Sequence, residues 1–556
     1  MSDNNLSNTL TQFQDHVRKN LKFYVPLAAG TLGLAFLYYY GTSSSQALEV
    51  DDLDAEVESS LTEEEAMTLT KEDIEKLSAS RREFISKLLK NFGNDNFRTK
   101  QFQAAIENYS KAIELHEDPV YYCNRAAGYS ALKQHQKVIE DCTKTLSMHP
   151  EYTKAIVRRA QAYEATSQYQ LSLNDYVCGF FLAESNHQTA SLGIERTIKV
   201  LAAEQAAAEA LPNQLEHISV SYALHYVNCF EKVTLPSDES DDNEADKKIR
   251  EAIKLIDDNK FSEAHKLLQS AVQADTKFMV EALNLRCMFD IIVKDWDSAN
   301  EGLKKALEIN PNHVQCRIKQ SNILTETGDV SGAFESLKEL QTQHPESYEV
   351  HFHLAQIYFI LEQVDMAQAC YQTAMELSPT FEQAHIQYGV SLCYFKPREE
   401  AAAFFKKSLE TFKTSSIMLN VYAEFLMECG QMDEVTDILD KALTISPNNA
   451  TVLLNKSIFY LKAYTDLELA AKYNQQAIDI DPAFTTALLN LANIKSIQTK
   501  FDEADELLER SKKTIRSKLE LEAIISQQLH NKAKQVFAQQ YPKKLELLSS
   551  VPTGAV

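Results

Sequence analysis

ANEGLKKALEINP at 299–311 and AQACYQTAMELSP at 367–379 decide the fold. The two stretches share alanine at their first and eighth positions and proline at their last. Half the distance between them recurs through the chain, since Pro311, Pro345, Pro379 and Pro447 fall at equal steps, with one step skipped before the last. In the same phase Ala105, Ala112, Ala264, Ala271, Ala401, Ala470, Ala477 and Ala504 fill small-residue slots, with Tyr109, Tyr371 and Phe405 between them.

Alanine lets two paired helices approach closely, the aromatic fills the gap beside it, and proline stops the second helix. A period of about 34 residues with these slots is the tetratricopeptide signature. The expected fold is therefore all-α, a tetratricopeptide-repeat superhelical solenoid. One helix pair cannot bury its apolar face alone, so neighbours stack, and the first helix of each pair lines a groove suited to extended peptides. A length of 556 residues exceeds one compact core but fits such an array, and 13 glycines with 13 prolines leave little turn material for a large sheet protein.

The formal charge of −23 argues against a nucleic-acid-binding surface and points to basic partners, with no nucleic acid expected among them. Nine cysteines, an odd number without paired spacing, suit a reducing compartment.

Six regions are expected. Residues 1–22 are a short polar tail, and 23–40, FYVPLAAGTLGLAFLYYY, is an apolar run about 27 Å long as a helix, read as a single N-terminal transmembrane helix. A cleaved secretory signal and a buried core helix are the alternatives for that run. Residues 41–80 are an acidic tether, 81–211 a front repeat domain, 212–246 a linker whose acidic stretch LPSDESDDNEAD is expected to be disordered, and 247–556 a rear repeat domain with capping helices. Basic residues before the apolar run argue for an exported large domain, while the unpaired cysteines argue for a cytosolic one, and the expectation follows the cysteines.

In the front repeats Lys90 and Asn94 lie four apart on one helix, Lys154 and Arg158 four apart on another, and Asn124 falls between them. Three cations and two amides facing one groove make a cradle for carboxylates. The neighbouring Arg125 and Arg159 are expected to turn to other surfaces. These five positions resemble the two-carboxylate clamp of tetratricopeptide co-chaperones, and the resemblance implies binding of the C-terminal Glu-Glu-Val-Asp tails of seventy-kDa and ninety-kDa heat-shock chaperones. The order of parts, with RRAQAYEATSQY and NEADK, resembles the large tetratricopeptide import receptor of the mitochondrial outer-membrane translocase, fungal type. That resemblance implies a mitochondrial outer-membrane location with the short tail in the intermembrane space. It also implies docking of chaperone-bound inner-membrane carrier precursors, transfer to the translocase pore, and contact with other translocase subunits. The lipid bilayer would be met through residues 23–40, and a homodimer is left open. A membrane-anchored co-chaperone at another organelle, such as the endoplasmic reticulum, is the alternative.

Repeat phase turns Met288, Ile291, Phe352, Phe359, Ile360, Ile386, Tyr394 and Met427 towards the rear groove, either as a precursor-binding wall or as ordinary packing between helices. No phosphate-cradling loop, nucleophile elbow or metal-ligand pattern is present, so no enzyme, cofactor or metal is expected. His351 and His353 on one helix point about 200° apart and do not make a metal pair.

Overall fold

The computed structural model describes residues 62–183, 188–211 and 218–549. Their regular structure is helical, and they divide into two compact units. The front unit holds the described residues up to 210 with Ser496–Asp505 and residues 518–549; the rear unit holds the described part of Leu211–Lys495 and Glu506–Ser517.

The front unit begins with α1 (Glu63–Met67) and α2 (Lys71–Lys76), then three helix pairs. These are α3 (Ala79–Arg98) with α4 (Phe102–Leu115), α5 (Pro119–Ala131) with α6 (His135–Met148), and α7 (Thr153–Ala165) with α8 (Tyr169–Leu182), followed by α9 (Gln188–Ala208). The rear unit opens with α10 (Val220–Val227). Its pairs follow: α11 (Glu244–Asp257) with α12 (Phe261–Ala271), α13 (Met279–Ile292) with α14 (Trp296–Ile309), α15 (Val314–Glu326) with α16 (Val330–Gln343), and α17 (Tyr348–Ile360) with α18 (Val364–Leu377). Then come α19 (Glu382–Phe395) with α20 (Arg398–Thr411), α21 (Ser416–Glu428) with α22 (Val435–Ile445), and α23 (Ala450–Tyr464) with α24 (Leu467–Ile480). The chain ends in α25 (Thr485–Ile497), α26 (Phe501–Lys512), α27 (Lys518–Gln540) and α28 (Glu546–Ser549).

The small-residue slots are the packing seams. All of the alanines named from the sequence are buried, as are Tyr109, Tyr371 and Phe405. Glycine goes further at Gly93 and Gly389, where a Cβ would stand 2.6 Å from the rings of Tyr109 and Phe405 respectively. The prolines at 311, 345, 379 and 447 each follow two residues after a second helix ends.

Within most pairs the link turns on one left-handed residue: Lys100, Lys133, Ser167, Asn259, Lys294, Gly328, Glu362, Gly430, Thr465 and Thr499. The next amide then reaches back over five residues, as from Gln134 N to Tyr129 O and from Gln363 N to Tyr358 O. Most of these positions are not glycine and each costs about 1 kcal/mol, which the stacked pair offsets. One link departs from the rule, since Lys396 is extended before Pro397.

Residues 62–77, the end of the stretch read as an acidic tether, fold against the first repeat. Thr62 and Thr70 cap α1 and α2 by reciprocal bonds with Glu65 and Asp73, and Ala66 and Ile74 are buried beside Ile85, Leu89 and Leu115. In the stretch read as disordered, Asp242 pairs with Arg250 and Lys277, which hold its carboxyl down at about 2. At the other end of the chain α27 packs on α8 and α9, with Phe537 against Phe181 at 5.2 Å.

The expected transmembrane helix needs correction. No helix among the described residues is long and apolar enough to cross a membrane. The run at 23–40 lies outside the described residues. The single-pass anchor, the lipid-bilayer contact and the outer-membrane placement built on that run are therefore not part of the account.

Candidate functional site: the inner faces of the two units

In the front unit the first helices α3, α5 and α7 are tied by one chain of hydrogen bonds. Tyr109 on α4 donates its hydroxyl to Asn94 Oδ1 at 2.9 Å, and the same oxygen accepts from Asn124 Nδ2 at 3.2 Å. One residue before Asn124, the carbonyl of Cys123 accepts from the Arg158 guanidinium at 2.7 Å. These bonds hold Asn94, Asn124 and Arg158 across three consecutive repeats. Arg158 draws the Tyr109 hydroxyl and the Cys123 thiol towards ionisation, but burial outweighs it and pushes Tyr109 up to about 12.

Lys90 and Lys154 differ from these three. Lys90 is half-buried and Lys154 exposed, and neither makes a hydrogen bond or ion pair among the described residues. Lys90 lies one turn before Asn94 on α3, and Lys154 one turn before Arg158 on α7.

The adjacent arginines are committed elsewhere. Arg125 grips Asp141 through two bonds of 2.7 and 2.8 Å, and one repeat further on Arg159 grips Asp175 through two of 2.7 and 2.9 Å. Both aspartates lie on second helices, so these forks lock each pair together. The sequence reading had no signal for Tyr109 or the Cys123 carbonyl as positioning groups. Tyr109 already had a packing role, and a backbone acceptor leaves no mark in a sequence.

In the rear unit the eight residues expected on the groove fall into two sets. Met288, Ile291, Phe352, Ile360, Ile386 and Met427 are buried, while Phe359 is half-buried and Tyr394 exposed. Phe352 packs between Tyr371 and Phe381, with ring centroids 5.9 and 5.1 Å away. Phe359 meets Tyr394 at 6.3 Å and Phe395 at 5.8 Å, and Phe395 is 47% exposed. This patch of three aromatics sits at the Lys396–Pro397 link, where the regular turn is missing.

Buried polar groups also stand on the rear first helices. Lys319 is 1% exposed, donates to Asn284 Oδ1 at 2.7 Å, and is pushed down to about 8 by burial. Glu424 lies among Asn420 and Asn455, and burial pushes its carboxyl up to about 7. Among the described residues no group of three or more His, Cys, Asp or Glu side chains is placed to hold a metal, and all nine cysteines are free.

Comparison with known proteins follows this geometry. A tetratricopeptide-repeat family model matches residues 348–381, which span α17 and α18. The human mitochondrial import receptor subunit TOM70 is 23% identical over 79% of this chain and 77% of its own length. The Saccharomyces cerevisiae TOM70 is 25% identical over 76% of each chain. The crystal structure of yeast Tom70 superposes with a TM-score of 0.53 at 24% identity, covering 82% of this chain and 96% of that one, and carries the same fold. The sequence is thus homologous to TOM70 mitochondrial import receptors of animals and yeast alike, which removes the restriction to a fungal type.

Proposed function

We propose that this chain is a mitochondrial import receptor that docks cytosolic chaperones on its front unit and holds hydrophobic precursor proteins on its rear unit. The observation that carries this reading is the pair of uncommitted lysines, Lys90 and Lys154, flanking the bonded Asn94, Asn124 and Arg158. A chaperone tail ending in aspartate offers a main-chain and a side-chain carboxylate at one residue. Lys90, Lys154 and Arg158 would supply charge, and the two asparagines would orient the carboxylates by hydrogen bonds. Each charge-assisted bond would contribute about 1.5–3 kcal/mol.

For the rear unit the support is the aromatic patch of Phe359, Tyr394 and Phe395, of which Phe359 and Tyr394 belong to the expected groove set. Apolar carrier precursors with internal targeting signals would meet it. The remaining members, Met288, Ile291, Phe352, Ile360, Ile386 and Met427, would shape the wall beneath. The reading is one of binding and handover to other translocase subunits, and similarity to import receptors supports a protein without catalysis of its own.

The test is capture of a seventy-kDa chaperone by the full chain and by Arg158→Ala. The variant should lose capture while its helical spectrum stays unchanged. Equal capture by the two proteins would reject the clamp.

A further inference from the structure

Residues 218–235 have no place in the repeat period, yet several of them are buried or hydrogen-bonded within the rear unit. Ile218, Ala223, Tyr226, Cys229 and Phe230 are buried, in one core with the first helices α13, α15 and α17. Ser219 Oγ and Ser221 N both donate to Asp481 Oδ2, at 2.7 and 2.8 Å. Asn322 donates to the Tyr226 hydroxyl at 3.1 Å. The Phe230 ring stacks on His353 at 4.9 Å, and Lys319 Nζ stands 4.0 Å from the centre of that ring. Just beyond, Glu231 N donates to Glu349 Oε1 at 2.7 Å, while Gln315 Nε2 donates to Glu231 O at 3.0 Å.

The groups that hold the segment occupy matching places on consecutive repeats. Gln315 and Glu349 are one full repeat apart, and so are Lys319 and His353. One level reads a backbone amide and carbonyl, and the next holds an aromatic ring. This is how a repeat groove holds a peptide, and it differs from the alanine-and-aromatic seams between paired helices. A buried lysine with no carboxylate at ion-pair distance among the described residues, and only the longer-range charge of Glu349 to favour it, is also a costly choice for a permanent seam. Its compensation is the Asn284 amide oxygen and the face of Phe230, a desolvated cation–π contact. A small cavity, with room for about one water, lies beside the segment and is lined by Tyr222, Tyr226, Ile291, Ile292, Glu326 and Arg516.

We propose that this slot is a binding site for a short amphipathic helix of another protein, and that residues 218–231 are its resident competitor. The resident defines the ligand chemistry. It has aromatic side chains at four-residue spacing, as in Tyr222, Tyr226 and Phe230, followed by a free backbone amide for Glu349 and a carbonyl for Gln315. The inference rests on the reading of the rear unit as the precursor-binding part, and adds the pattern that a client must carry and the segment that it must displace.

The test uses the full chain, the variant Tyr226→Ala/Phe230→Ala, and a fluorescein-labelled peptide of residues 218–235. The variant should bind the peptide at least about 10-fold more tightly than the unaltered chain, because its slot is no longer filled from within. The peptide should also restore the melting temperature that the variant loses, a readout that survives partial destabilisation. Lys319→Met in the same background should abolish the gain. If the double variant does not fold, Ser219→Ala loosens only the resident's polar tie to Asp481, which stays available to the peptide, and should raise peptide affinity in the same direction. Equal or absent binding by loosened and unaltered chains would overturn the proposal. If the labelled peptide binds but a carrier-precursor peptide fails to chase it, the slot stands and the precursor reading of the rear unit falls. If that precursor peptide binds the unaltered chain without faster amide exchange at 220–230, the precursor reading stands and the resident competitor is rejected.

Discussion

Two first helices of the front repeats, α3 and α7, each carry a lysine without a hydrogen bond or ion pair among the described residues, whereas first helices of the rear repeats present polar groups that a segment of the same chain satisfies. Lys90 and Lys154 make no internal bond among the described residues, while Lys319 is sealed between Asn284 and Phe230. The frame is the same in both units, with alanine seams, a turn at matching places and a stop after the second helix. The difference teaches that the repeat fixes the packing positions and leaves the inner-face positions free. One frame can therefore carry lysines without an internal bond in one unit and a buried, fully bonded lysine in the other.

The largest expected effect falls on the front face. Lys90→Ala/Lys154→Ala should weaken binding of a Glu-Glu-Val-Asp peptide by at least about 100-fold, on the scale of two charge-assisted bonds. Its melting temperature should not move, since no internal bond is removed. A parallel loss of stability, measured by thermal denaturation, would break the contrast between uncommitted and committed lysines.

Within the rear unit the contrast can be sharpened between Phe352 and Tyr394. Phe352 is fully buried between Tyr371 and Phe381, so Phe352→Ala should cost about 3–5 kcal/mol in chemical denaturation. Tyr394 is 37% exposed, and Tyr394→Ala should cost far less stability while reducing precursor binding. Similar costs at the two sites would erase the distinction between wall and surface.

Glu424 gives a smaller, pH-dependent signature. Burial raises its carboxyl from 4.5 to about 7 against the favourable amides of Asn455 and Asn420. The folded state thus binds the proton more tightly than the unfolded chain. Its contribution is complete below about 4.5 and is lost as pH rises through about 7, a change of up to about 3 kcal/mol. Glu424→Gln should flatten stability over that window, read as the difference between the two denaturation profiles. An unchanged slope would assign the titration elsewhere.

The smallest effect is ionic. Raising salt from 0.05 to 0.5 M, about a threefold fall in screening length, should weaken chaperone-peptide binding several-fold and leave the melting temperature of the rear unit nearly unchanged. Equal sensitivity in both would deny that the two faces differ in charge.

Much of this was legible in the sequence because the packing slots admit few residue types. Alanine at 299, 306, 367 and 374 leaves a mark that survives variation elsewhere. The turns were not legible, because Lys133, Ser167 and Glu362 take the left-handed conformation without being glycine. The five front-groove positions could be picked out as polar residues at helical spacing on first helices, but the bonds that orient Asn94 and Arg158 come from Tyr109 and a carbonyl, which spacing does not reveal. Residues 218–231 were hidden for a further reason. They obey no period, and their burial depends on partners such as Asp481 far along the chain. Phase alone also could not tell Phe352, spent on packing, from Phe359, which reaches the surface.

The most direct measurement of the central claim is a calorimetric titration of the full chain with two peptides ending in Glu-Glu-Val-Asp, one with a free C-terminal carboxylate and one amidated. Binding of the free acid and a loss of at least about 10-fold on amidation are expected, since amidation removes one of the two carboxylates proposed to meet Lys90, Asn94, Asn124, Lys154 and Arg158. Equal affinity for the acid and the amide would contradict that claim.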